Sequence, residues 1–229
     1  MVTPMKKLLA ILCMMNILLV QGADYARSVE KGSKAYKAKQ YAEALEYYTA
    51  AHKAAPTADL RFRIIPVQIT LYMQLKNNAG LRAFLERERQ DDSYSDSQLR
   101  YLLNWNARIL IWPQRDLHFA MDLLQMARML PAEKHTNFYF ETFQLMGEIL
   151  FRQKQYDLQI FYLAPLLEIE KLHPSNRYKT CMALGRACLA KKDRETALKY
   201  FKQALDAGKQ VPYKYNYSDA QKYIKELSK

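Results

Sequence analysis

The sequence predicts an all-α chain, folded as a right-handed solenoid of about five antiparallel helix pairs and closed by a C-terminal capping helix. Three observations lead there. A small residue followed by aromatics recurs at a near-constant interval: Ala44 of YAEALEYY aligns with Ala83 of GLRAFLER, Ala120 of LHFAMDLL, Gln159 of YDLQIFYL and Ala197 of RETALKYF, at spacings of 39, 37, 39 and 38 residues. A repeat of that length marks units that bury their apolar faces only against neighbours. Twelve residues before these positions stand Gly32, Gly147 and Gly185, half of the chain's six glycines, with Leu71 and Arg108 at the same phase in the second and third units. Finally, strong helix formers dominate throughout, and no segment sustains period-2 alternation.

The chain opens on MVTPMKKLLAILCMMNILLVQGAD, in which Lys6 and Lys7 precede an apolar run from Leu8 to Val20. This predicts a signal peptide over residues 1–22, cleaved after Gly22 or Ala23. The run is shorter than the ~20 residues that span a bilayer; a retained N-terminal anchor is the alternative. Cys13 lacks the small residue that precedes the cysteine of a lipoprotein signal of bacterial type. No later stretch is long and apolar enough to span, so no transmembrane segment is expected in the mature chain.

The repeat domain is expected over 23–216. Its glycines have a physical reason. A mid-helix glycine costs about 0.5–1 kcal/mol against alanine, and close approach of two antiparallel helices at their crossing point offsets that. Pro56, Pro113, Pro131 and Pro174 fall at expected turns, whereas Pro66 and Pro165 fall inside expected helices and should kink or shorten them. Gln90–Asp96 and Pro131–Thr136 are the expected spacers. At the end, Ser218 and Gln221 have the spacing of a capping box, opening a helix within 217–229 whose stripe is Ala220, Tyr223, Ile224 and Leu227.

This pattern resembles the tetratricopeptide repeat (TPR). The first unit carries the resemblance through Gly32, Tyr41, Ala44, Tyr48, Ala51 and Pro56, and the last through Leu184, Gly185, Ala197, Phe201 and Ala204. Leu117, Ala120, Leu124, Ala127 and Pro131 carry it in the third unit, and Gly147, Tyr156 and Leu163 in the fourth. The second unit departs, with Arg87 and Gln90 where apolar or small residues belong. The units also exceed the usual length of about 34 residues. The resemblance extends from Tyr25 to about Gly208.

Chemistry is not signalled. Cys181 and Cys188 lie two helical turns apart, about 10.5 Å of rise, too far for a disulfide, and read as small core residues. His52, His118, His135 and His173 are isolated in the sequence, without metal-ligand spacing, and no catalytic or phosphate-binding motif occurs. No enzyme activity, cofactor or metal is therefore expected. Asn216-Tyr217-Ser218 is a formal glycosylation sequon. The net charge of +12 is scattered singly, as on a solvated basic surface, and does not point to specific nucleic-acid binding.

In proteins similar to this family, the first helix of each pair lines a concave groove that holds extended peptides. Carrying that phase over gives Ser33, Tyr36, Tyr72, Trp105, Ile109, Trp112, Glu148, Phe151 and Arg186 as partner-binding candidates. The Trp105/Ile109/Trp112 stripe has a competing reading as core. Against it, the opposite phase of the same helix holds Asn104 and Arg108, which are poor core residues. The family's carboxylate clamp is not expected, because Val29 and Ser33 stand at its positions in the first unit. The function expected is a non-enzymatic scaffold of the periplasm or cell envelope that binds another protein or peptide of an envelope complex. The alternative is a secreted polyanion- or carbohydrate-binding protein using its basic surface and aromatics.

Overall fold

A computed structural model describes residues 22–112, 116–131, 137–213 and 215–229. Residues 1–21 of the expected signal segment, Pro113, His135 and most of the second expected spacer lie outside them. Helix α1 covers residues 22–37. It is followed by α2 (Tyr41–Ala54), α3 (Ala58–Gln74), α4 (Asn78–Glu88), α5 (Asp96–Ile111) and α6 (Leu117–Met129). Then come α7 (Asn137–Arg152), α8 (Tyr156–Leu163), a 3-10 turn (Ala164–Glu168), α9 (Pro174–Ala190), α10 (Arg194–Lys209) and α11 (Ser218–Leu227). The described residues contain no strand, and the helices follow one another as pairs. They fall into two compact units, one ending at Gln98 and one beginning at Leu99, so the division lies within α5.

The glycines sit at helix crossings. A Cβ on Gly32 would lie 3.0 Å from the Tyr48 ring, one on Gly147 2.9 Å from Leu163, and one on Gly185 2.7 Å from Phe201. Each partner is sixteen residues further along, so the three crossings share one geometry. The small residues of the second helices, Ala44, Ala51, Ala120, Ala127, Ala197 and Ala204, are all fully buried. Within the second unit, α5 to α9 enclose one core around Leu103, Ala107, Leu124, Met146 and Leu163. A second core between α9, α10 and α11 centres on Phe201.

The turns inside the pairs correct the register of the second helix pair, α3 and α4. Lys39, Lys76, Lys154 and Lys192 have φ of 60°, 53°, 60° and 67°. Their N–H groups donate to the carbonyls of Tyr36, Met73, Phe151 and Leu189 at 3.0, 3.0, 3.0 and 2.9 Å. The next residue's N–H reaches one further back, as in Gln40 to Ala35 at 2.9 Å and Asn77 to Tyr72 at 2.9 Å. These are Schellman closures with lysine in the left-handed place that glycine usually fills. Counting from them, the equivalent of Ala44 is Leu81, which is buried, and not Ala83, which is exposed. The intervals become 37, 39, 39 and 38. The glycine phase moves from Leu71 to Ile69. Arg87 and Gln90 no longer occupy core places, which belong to Leu85 and Glu88, both buried.

Pro66 does not shorten its helix: α3 runs through it, and the Thr70 hydroxyl donates to the Pro66 carbonyl at 2.9 Å. Pro165 falls where α8 has given way, after eight residues, to the 3-10 turn. Pro174 opens α9, where its missing N–H costs nothing. The expected capping box is absent. Ser218 is already helical, Tyr217 is the cap residue without a side-chain bond, and the Asn216 carboxamide accepts from the Ser218 N–H at 3.0 Å. With Ser218 one residue inside the helix, its hydroxyl is not in the capping place. The apolar stripe does form, with Ala220 buried and Tyr223, Ile224 and Leu227 packed on the Phe201 core. Tyr223 stacks on Phe201 at 4.4 Å.

Candidate interaction face on the first helices

In the second unit α5, α7 and α9 are the first helices of successive pairs, and polar side chains tie them together. Asn104 is wholly buried. Its Nδ2 donates to the Phe138 carbonyl at 2.9 Å, and its Oδ1 accepts from the Thr142 hydroxyl at 2.9 Å. The expectation that Asn104 makes a poor core residue is thus overturned, because both halves of its amide are satisfied across the helix interface. Arg108 pairs with Glu141, and Gln144 Nε2 donates to Thr180 Oγ1 at 3.1 Å.

Along this polar floor run two hollows that share Gln144 and Lys179. One, of about 630 Å3, is bounded by Arg108, Glu141, Asn176 and Tyr213 among others. The other, of about 360 Å3, continues past Met182 and Arg186 to Lys222 and Tyr223 of α11. Cations outnumber acids: Arg108, Lys179, Arg186 and Lys222 face Glu141 and Asp219. Tyr178, at the furrow's edge, has its hydroxyl pKa raised, first by burial and then by the Asp219 charge. The furrow offers hydrogen bonds, cations and tyrosine faces to an extended segment. Among the described residues no three His, Cys, Asp or Glu side chains are grouped to hold a metal.

The candidates distribute unevenly over this surface. Arg186 lines the furrow and lays its guanidinium 5.5 Å over the Phe151 ring, so these two candidates meet. Trp112 is 67% exposed, which excludes it from the core. The Arg152 guanidinium covers its ring at 4.5 Å, and Arg152 Nε in turn contacts Glu148 at 2.7 Å. Trp105 and Ile109 are half-buried. The Trp105 ring lies under Arg108 at 5.1 Å, beside Tyr101 at 6.4 Å. Ser33, also half-buried, and Tyr36, packed edge-on to Tyr41 at 5.8 Å, belong to the first unit. Tyr72 packs on Phe84 at 5.7 Å and lines a hollow with Leu45 and Thr49 of α2. The corrected register gives its intended place to Thr70.

Gln144, Lys179 and Met182 were missed, although extending the Trp105 phase by one and two periods reaches Gln144 and Met182. His173 and Tyr213 come from linking segments that the helical phase does not govern. Also missed was a buried cluster in the first unit. His52 Nε2 lies 2.9 Å from Glu88 Oε2, and the Tyr94 hydroxyl donates to the same carboxylate at 2.8 Å. Of the other described histidines, His118 is exposed and His173 caps α9 through Nδ1.

Helix pairs of this length with small residues at the crossings define the chain as having the tetratricopeptide-repeat fold. Solved structures agree. MamA matches at 20% identity and TM-score 0.60, over 82% of this chain and 94% of that one. PilW, described as a widely conserved type IV pilus biogenesis factor, matches at 15% identity and TM-score 0.60, over 89% and 90%. YrrB, described as a TPR protein with an unusual peptide-binding site, matches at 16% identity and TM-score 0.53, over 81% and 93%. No protein-family model and no curated protein matches the chain.

Proposed function

We propose that this chain is a non-enzymatic scaffold of the periplasm or cell envelope, exported by a signal peptide over residues 1–22, that holds a segment of another protein. The observation that carries the reading is the furrow shared by Gln144 and Lys179, open along α7 and α9 and rich in cations and tyrosines. Its character suits an extended segment that carries acidic residues. The fold is also that of YrrB, with its peptide-binding site, and of PilW, a pilus biogenesis factor.

The test is affinity capture from envelope extracts at physiological salt, comparing the natural protein with Lys179→Glu/Lys222→Glu. Both side chains are exposed, so the variant should fold. The expected result is a protein partner retained by the first and lost by the second. A soluble polysaccharide or other polyanion captured instead, and released by moderate salt, would favour the polyanion-binding reading. Equal capture by the two proteins would remove the furrow from the mechanism. N-terminal sequencing of the exported protein should begin at Ala23 or Asp24, and Lys6 and Lys7 still attached would refute cleavage.

A further inference from the structure

Once the second helix pair is in register, a short pattern recurs at the end of every first helix. An apolar residue stands three places before a basic one: YKAK, MQLK, WPQR, FRQK and LAKK. The apolar members stay accessible. Tyr36, Met73 and Trp112 are 38%, 52% and 67% exposed, and Phe151 and Leu189 are half-buried. The four described basic members, Lys39, Lys76, Lys154 and Lys192, are all exposed and pair with no described acid. Arg115 of WPQR lies outside the described residues. Among the described residues these four lysines are also the only non-glycine residues with positive φ.

Glycine would close each turn without strain, whereas a side chain in the left-handed region carries a conformational penalty. Lysine accepts that penalty at four turns out of four. A local strain repeated with one residue type points to a use for the ammonium group. The neighbouring acids are largely engaged: Asp157 pairs with Lys191, and Asp193 caps α10 through the Thr196 N–H at 3.0 Å.

We propose that these turns form, on each unit, a contact edge for the surface of an anionic lipid bilayer. The lysines would meet lipid phosphates, and the exposed apolar residues of the first three turns, Tyr36, Met73 and Trp112, would enter the headgroup layer. A soluble polyanion satisfies the lysines but has no use for exposed Trp112, Met73 and Tyr36. A lipid interface uses both members of each pair, and tryptophan in particular favours that layer. No described helix is long and apolar enough to cross a membrane, so the contact is peripheral. It uses the turns and not the furrow, and does not depend on the scaffold reading.

The test uses the protein with Trp105→Phe, which leaves Trp112 as the sole tryptophan of the original two. It is mixed with phosphatidylcholine vesicles containing about a third phosphatidylglycerol, an anionic surface that attracts juxtamembrane lysines. Co-sedimentation and a blue shift of Trp112 emission are expected, with neither on phosphatidylcholine alone. In the quadruple variant Lys39→Gly, Lys76→Gly, Lys154→Gly and Lys192→Gly, glycine removes charge and strain together, so the melting temperature should not fall. Its vesicle affinity should drop at least tenfold, since one lysine at such a surface contributes roughly a fivefold factor. Unchanged sedimentation of the variant overturns the proposal. So does binding of the natural protein to soluble heparin without binding or emission shift on vesicles.

Discussion

Replacing Gly185 by alanine tests the glycine crossings most directly. The new methyl carbon would lie 2.7 Å from Phe201 Cε1 and 2.9 Å from Cδ1 and Cζ. Carbon atoms rest at about 3.5–4.0 Å, so ring or helix must yield by close to an ångström. The ring has nowhere to go. It is fully buried, and Tyr223 is stacked on it at 4.4 Å with an interplanar angle of 4°. Overpacking of this kind costs about 1–3 kcal/mol, against about 1 kcal/mol gained from alanine's better helix propensity. With the ring held in place the cost falls in the upper part of that range, about 2–3 kcal/mol, so we expect a net loss of about 1–2 kcal/mol in urea titrations followed by circular dichroism, and a melting temperature lower by about 2–8 °C. Because Phe201 carries the strain, Gly185→Ala/Phe201→Leu should recover at least about 1 kcal/mol relative to the sum of the single changes. Gly32→Ala should be milder, since Tyr48 starts at 3.0 Å. A Gly185→Ala protein as stable as the natural one would mean that close approach is not what holds glycine at this phase.

Two further outcomes follow from buried titratable groups. Glu88 feels burial, which raises its pKa, but the hydrogen bonds from His52, Arg87 and Tyr94 together hold it below its ordinary 4.5. A carboxylate lowered in the folded state contributes stability that is present above 4.5 and lost as the pH falls through the lowered value. The first unit should therefore weaken on acidification below pH 4.5, and Glu88→Gln should flatten that dependence in urea titrations across the range; an unchanged slope would refute the role of Glu88. The Cys181 thiol is pushed up to about 11, chiefly by burial. At pH 8 it should resist thiol reagents in the folded protein and react on unfolding. Prompt labelling of native Cys181, located by peptide mapping, would contradict its burial.

The helix pairs were legible because their signals are local: a small residue and an aromatic four places on, a glycine twelve places before, a proline near the turn. The second helix pair was misread because its crossing position is the large Leu81, while Ala83 offered a false small-residue match two places late. Asn104 could not be read as a core residue, since its partners Phe138 and Thr142 lie 34 and 38 residues away. The same distance hid His52 from Glu88. The exposure of Trp112 was equally out of reach, because it follows directly on the buried Leu110 and Ile111 that end α5.

Glu88 takes the place that Ala51, Ala127 and Ala204 hold in other pairs, and its carboxylate is satisfied in part by His52 from the pair before. Repeat chains commonly lengthen and shorten by duplicating or losing whole units. Here such an event is constrained. A copy of the second pair placed at the start of the array, or after any neighbour lacking histidine at that place, would carry a buried negative charge without that partner. The second pair is therefore tied to its predecessor, and the two must be inherited, or engineered, together.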